Sequence, residues 1–133
     1  MKTSESNPHD WFFLAADRLR VADSTRKHEG VTYAGVELLQ EAIERYLKGY
    51  LVSKGWSLER THDLRKLIEE ASRNNPDFKQ FTDFADSLTE QFWAQHYPGE
   101  DLEDVGGDYD ELRERADKLV SLIMATVPKT SDL

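Results

Sequence analysis

At 133 residues, 38% hydrophobic and 11% aromatic, the chain has material for one domain with its own core and too little for two. A net charge of -9 and a pI near 4.9 argue against tight, sequence-independent binding to a polyanion, because such binding comes mostly from cations displacing counterions. The absence of cysteine excludes disulfides and thiolate metal sites, and the longest apolar run, Trp11 to Ala16, falls far short of the roughly 18 residues a membrane span needs, so a cytoplasmic protein is expected.

Residues 1–6 are polar and expected to be disordered. Asn7 and Pro8 fit a cap and a first helical position, opening a helix to about Ser24 with Phe12, Ala15, Leu19 and Ala22 on one stripe. The polar run Ser24 to Gly30 reads as a loop. Val36, Leu39, Ile43, Tyr46 and Tyr50 then step by three and four, with Leu47 and Leu51 widening the stripe of a long second helix. Its other face is read as charged, carrying the acid-before-base pairs Glu41–Arg45 and Glu44–Lys48. Gly55 supplies the left-handed residue that would end it.

Thr61 is expected to cap a third helix running from about His62 to Arg73, with Asp63 in its first turn. Pro76 and Asp77 start a fourth, with Phe78, Phe81, Ala85, Leu88 and Phe92 at three-four spacing, ending at Tyr97-Pro98-Gly99. Gly106, Gly107 and Asp108 mark a turn and cap before a fifth, in which Tyr109, Leu112, Ala116, Leu119, Ile123 and Val127 face inward. Nothing reads as a strand. Amphipathic helices with short connections bury their stripes only against one another, so residues 1–133 are expected to form a single all-α domain, an up-and-down four-helix bundle with one short additional helix.

Charge is unevenly placed along that frame. Glu100 to Glu111 holds seven acids and no base, while Lys48, Lys54, Arg60, His62, Arg65 and Lys66 gather around the second and third helices. Amides at the start of the third helix, with Lys48, Lys54, Arg60, His62 and Asp63 nearby, form a candidate anion site for a phosphate. The plainer reading is that these are solvated loop charges and a helix cap. Trp56 sits among them and is a candidate for stacking on a base, or a plug at the end of the bundle; Trp93, beside Phe92, is assigned to the core. Asp101, Glu103, Asp104 and Asp108 are arranged somewhat like a calcium loop but lack its twelfth-position acid, and His62-Asp63 are adjacent rather than four apart, so no metal site and no cofactor is expected.

The segment EAIERYLKGYLVSKG followed by Thr61-His62-Asp63-Leu64 resembles the hallmark of HEPN domains, in which a helix of the form E-x-x-x-K-x-x-L precedes a threonine-histidine-aspartate-leucine helix start; Glu44, Lys48 and Leu51 hold those places. The resemblance implies a small helical bundle, often a homodimer, associated with nucleotides, RNA or a nucleotidyltransferase partner, and at times part of a toxin–antitoxin pair. Nuclease members carry an arginine followed, after roughly four to six residues, by a histidine that together act on a phosphate and the ribose hydroxyl. No arginine here has a histidine at that distance, the nearest miss being Arg20 with His28. Many relatives also place an arginine before a tyrosine-proline pair at the end of the fourth helix, where this sequence has His96. The expectation is therefore a binding module rather than an enzyme. The alternatives are a metal-independent ribonuclease using His62 or His96, and a purely structural dimer.

Overall fold

The computed structural model describes residues 2–96, 98 and 105–127, and among these five α-helices and one 3-10 segment form, with no strand. The all-α class expected from periodicity is the class observed.

Helix α1 (Pro8–Glu29) opens as expected: Asn7 adopts an extended conformation and its side chain accepts from the His9 N–H. It does not stop at Ser24. The polar run read as a loop completes the helix up to Gly30, whose φ of 81° breaks it and whose N–H donates to the Arg26 carbonyl. Two effects hold that extension. Arg26, Lys27 and His28 lie where the helix dipole favours cations, and Arg26 reaches Asp110 through two 2.9 Å hydrogen bonds. The residues before α1 are tied as well. Ser4 N–H donates to Asp10, and the Trp11 indole donates to the Glu5 carbonyl at 2.9 Å.

Helix α2 (Tyr33–Ser53) is capped by Thr32, whose hydroxyl accepts from Gly35 N–H at 2.9 Å, and ends just before Gly55 at φ 85°. Helix α3 (Leu64–Asn74) starts two residues later than expected. Asp63 is the cap, its carboxylate accepting from Lys66 N–H, while Thr61 accepts from Asp63 N–H and shapes the turn before it. An aspartate oxygen one residue before the apolar run serves the exposed amides better than a threonine three residues ahead.

The expected fourth helix is two pieces, a 3-10 segment (Pro76–Phe81) and α4 (Thr82–His96). Side chains three apart eclipse in a 3-10 turn, and this sends both Phe78 and Phe81 into the core. Helix α5 (Val105–Thr126) is already helical through Gly106 and Gly107, where a turn was expected.

All five helices contribute to one core, and α2 is its axis. It touches α1, α3, α4 and α5, and is buried nearly all round. That central place corrects the reading of one face as solvated: Glu44 and Lys48 are 7% and 5% exposed. The approach of α1 is close at Gly49, where a Cβ would lie 2.5 Å from a ring carbon of Phe12 and 2.9 Å from Trp11 Cβ, so only glycine fits without displacing the core.

Candidate functional site

Glu44, Lys48 and His62 form one connected group. Four residues apart on α2, Glu44 and Lys48 share a helix face, and Lys48 Nζ lies 2.9 Å from Glu44 Oε2. The turn Thr61–Asp63 brings His62 Nδ1 to 2.9 Å from Glu44 Oε1. A carboxylate oxygen only accepts, so the His62 Nδ1 carries the hydrogen and, in the neutral ring, Nε2 is left with a lone pair. Lys48 also lies 5.8 Å from the centre of the Trp11 ring, whose face attracts a cation. Glutamate and lysine are almost never this buried unless paired, and here each neutralises the other. His62 differs: its side chain is 80% exposed, so it is the solvent-facing end of the group.

The remaining residues of the candidate anion site do not join this group. Asp63 is committed to capping α3. Lys54 is exposed at the end of α2, with Nζ 3.4 Å from the Thr126 carbonyl and 5.7 Å from the centre of the Tyr50 ring. Arg60, 80% exposed, pairs with Glu5 at 2.8 Å. Lys66 is held above its ordinary pKa by a hydrogen bond from its ammonium to Glu59, at 2.7 Å. Trp56 is partly buried against the core, and its backbone N–H donates to the Leu51 carbonyl at 3.0 Å.

Beside His62 the surface opens. Two adjoining hollows of about 310 and 390 Å3 lie between α2 and α4 and share Gln40, His62, Phe92 and Trp93 as walls. Glu37, Glu41 and Glu44 line the first, and Thr61, Asp63 and Thr89 the second. Trp93, assigned to the core from its neighbour Phe92, is 53% exposed here, because the last turns of α4 present it outward while Leu88 and Gln91 face in. Gln40 is 2% exposed, yet among the described residues its carbonyl oxygen has no hydrogen-bond partner, and neither has the buried hydroxyl of Thr89.

Sequence reasoning overlooked Glu37, Gln40 and Thr89. Gln40 carried a signal: with Val36, Ile43 and Leu47 it occupies the inward three-four spacing, a polar residue at a core position. His96 ends α4, and Asp101, Glu103 and Asp104 of the acidic loop lie outside the described residues. Among the described residues no group of three or more histidine, aspartate or glutamate side chains is arranged to hold a metal ion, and no helix is long and apolar enough to cross a membrane.

Comparison with known proteins bears on these features together. The family model for the HEPN domain matches residues 8–127, a span that takes in all five helices, the Glu44–Lys48–His62 group and both hollows. Searches of curated proteins and of solved structures returned no significant match.

Proposed function

Since the chain belongs to the HEPN family and is thereby a nucleotide- or RNA-related module, we propose that it binds without cleaving, as a homodimer working with a protein partner of the nucleotidyltransferase type. The observation that carries this reading is the state of His62. Its Nδ1–H is held on Glu44, and among the described residues no guanidinium is bonded to it. Cleavage of RNA without a metal needs a proton acceptor beside a cation that stabilises the developing phosphorane charge. Here Lys48 is buried and already neutralised by the same carboxylate. Of the cations around the second and third helices, Lys54 and Arg60 are exposed at the end of the bundle, Arg60 beside Glu5, and are the ones proposed to meet a phosphate.

The test is incubation with a single-stranded RNA without metal, beside a His62→Ala, His96→Ala double variant. No cleavage by either protein is expected. Cleavage by the wild type that disappears in the variant would replace the binding module by a ribonuclease. Thermal melts with AMP, ATP and a short RNA then read binding: at about one hundred times its dissociation constant a ligand stabilises by about 2.7 kcal/mol, or several degrees for a domain of this size. The shift is expected to vanish in a Lys54→Ala, Arg60→Ala variant.

A further inference from the structure

We propose that the hollow between α2 and α4 is a receptor for a guanidinium group, an arginine side chain presented by a protein partner. Four observations lead there, and the first is the pair of unsatisfied buried groups. Buried polar atoms are hydrogen-bonded in the great majority of cases, and one left alone loses its hydration without return. Gln40 Oε1 and Thr89 Oγ1 are two such atoms, on facing helices, and both residues are walls of the hollow that Gln40 shares with the neighbouring one. A ligand between the helices would complete them.

The second observation is what kind of partner these groups lack. An amide oxygen accepts, and a hydroxyl accepts as well as donates. Glu37, in the wall of the same hollow as Gln40, forms no ion pair among the described residues. His62, with Nδ1–H turned to Glu44, offers Nε2 as an acceptor when neutral. The open valences are mainly acceptors, so the ligand brings donors. The third is charge: of the three carboxylates lining this hollow, Glu41 is paired with Arg18 and Arg45 and Glu44 with Lys48, which leaves the carboxylate of Glu37 uncompensated among the described residues and favours a cation over a phosphate. The fourth is the half-exposed indole of Trp93 at the rim, a surface on which a flat cation stacks.

A guanidinium answers all four, being planar, permanently charged, and carrying five N–H donors with no acceptor. An ammonium matches the charge but not the plane. A nucleobase matches the plane, but it brings acceptors of its own and, as a nucleotide, a phosphate beside the carboxylates. The site is thus distinct from the exposed cations Lys54 and Arg60. It rests on the reading above only in supposing that a protein partner exists, and the net charge of -9 suits that partner being basic.

The experiment is a titration of the full chain, followed by proton–nitrogen NMR of the tryptophan indoles and glutamine side-chain amides, with a short peptide bearing one arginine, its lysine counterpart, and cytidine and AMP. Trp93→Phe assigns the Trp93 indole signal, and Gln40→Leu assigns the Gln40 amide. The arginine peptide is expected to shift both signals saturably, and the lysine peptide to bind at least several-fold more weakly. Glu37→Gln and Gln40→Leu, each first shown by its melt to be folded, are expected to weaken the arginine peptide about tenfold. Arginine and lysine binding equally, the absence of a saturable shift, or an arginine response unchanged in both variants would each overturn the assignment. Shifts of these two signals by cytidine or AMP in place of the peptide would also overturn it, giving the hollow to a base. AMP acting only on signals near Lys54 and Arg60 bears on the nucleotide reading and leaves the arginine assignment to the peptide arms.

Discussion

Helix α2 has two unlike flanks. Toward α1 it is closed: Phe12 stacks on Tyr46 with ring centres 6.0 Å apart, Trp11 and Phe12 press on Gly49, and Arg18 reaches across to Glu41. Several polar groups of α1 find partners, including Trp11 with Glu5 and Arg26 with Asp110. Toward α4 the same helix is open, with two hollows and two buried polar atoms lacking partners. A closed flank is what a chain needs to fold. An open one with unsatisfied groups leaves stability unrealised, and natural proteins keep such places chiefly where something binds.

Glu44 stands between the flanks, and breaking it should have the largest effect. Glu44→Ala leaves the buried Lys48 without its carboxylate partner, beside the Trp11 ring. Removing one partner of a buried pair generally costs about 3–5 kcal/mol, so loss of stability on that scale is expected in a denaturant titration. The double variant Glu44→Gln, Lys48→Met is expected to recover most of it, because an uncharged pair of similar volume leaves no buried charge to desolvate. A single variant within about 1 kcal/mol of wild type would mean that the pair is hydrated rather than buried.

Gly49→Val probes the closed flank. Its branched side chain meets Phe12 and Trp11 at distances no Cβ tolerates, and overpacking of this kind costs about 3 kcal/mol when the neighbours are held. A melting temperature lowered by roughly 10 °C is expected. A melt unchanged from wild type would show that α1 slides freely on α2 and that the flank is not closed.

These contrasts mark what sequence alone could reveal. Most of the inward stripes were legible: Leu64, Leu67, Ile68 and Ala71 of α3, and Tyr109, Leu112, Ala116, Leu119 and Ile123 of α5 with Val127 just after it, are buried as periodicity predicts. Periodicity reports which side chains point the same way, not how many neighbours surround them. Glu44 and Lys48 therefore read as a solvated pair like Glu41 and Arg45, although α2 is enclosed and only the second pair reaches solvent. Ser24 to Gly30 read as a loop because its residues are polar, whereas its helix is supported from α5, 84 residues away. The Thr61–Leu64 run was legible as the start of a helix. The hollow beside it was not, because Gln40 and Thr89 meet only when α2 and α4 pack.

Gln40→Leu sharpens the comparison from the open side and should act in the opposite direction to the first two. It replaces an amide whose oxygen is buried without a partner by an apolar group of similar size, so stability is expected to rise by about 1 kcal/mol in a denaturant titration. The same change made at a satisfied polar group would destabilise. A loss of stability would therefore place a hydrogen bond on Gln40 and remove the ground for calling that flank open.

The smallest effect belongs to Asp110, at the α1–α5 clasp. Its hydrogen bond with Arg26 holds the Asp110 carboxyl below its ordinary value and raises the Arg26 guanidinium above its own. For a carboxylate whose pKa is lower folded than unfolded, the stabilisation is complete above the unfolded value of about 3.9 and fades as pH falls through the folded one. The Arg26 shift lies too far into alkali to matter in the same range. Melts of wild type and Asp110→Asn should therefore differ slightly and by a constant amount down to about pH 4, converge below it, and converge also on adding salt, since both groups are exposed. Convergence beginning near pH 6 instead would show that the gap does not belong to the Asp110 carboxylate. If the constant gap is seen, amide exchange should locate it in the last turns of α1, where the helix outruns its own sequence and depends on a partner across the bundle.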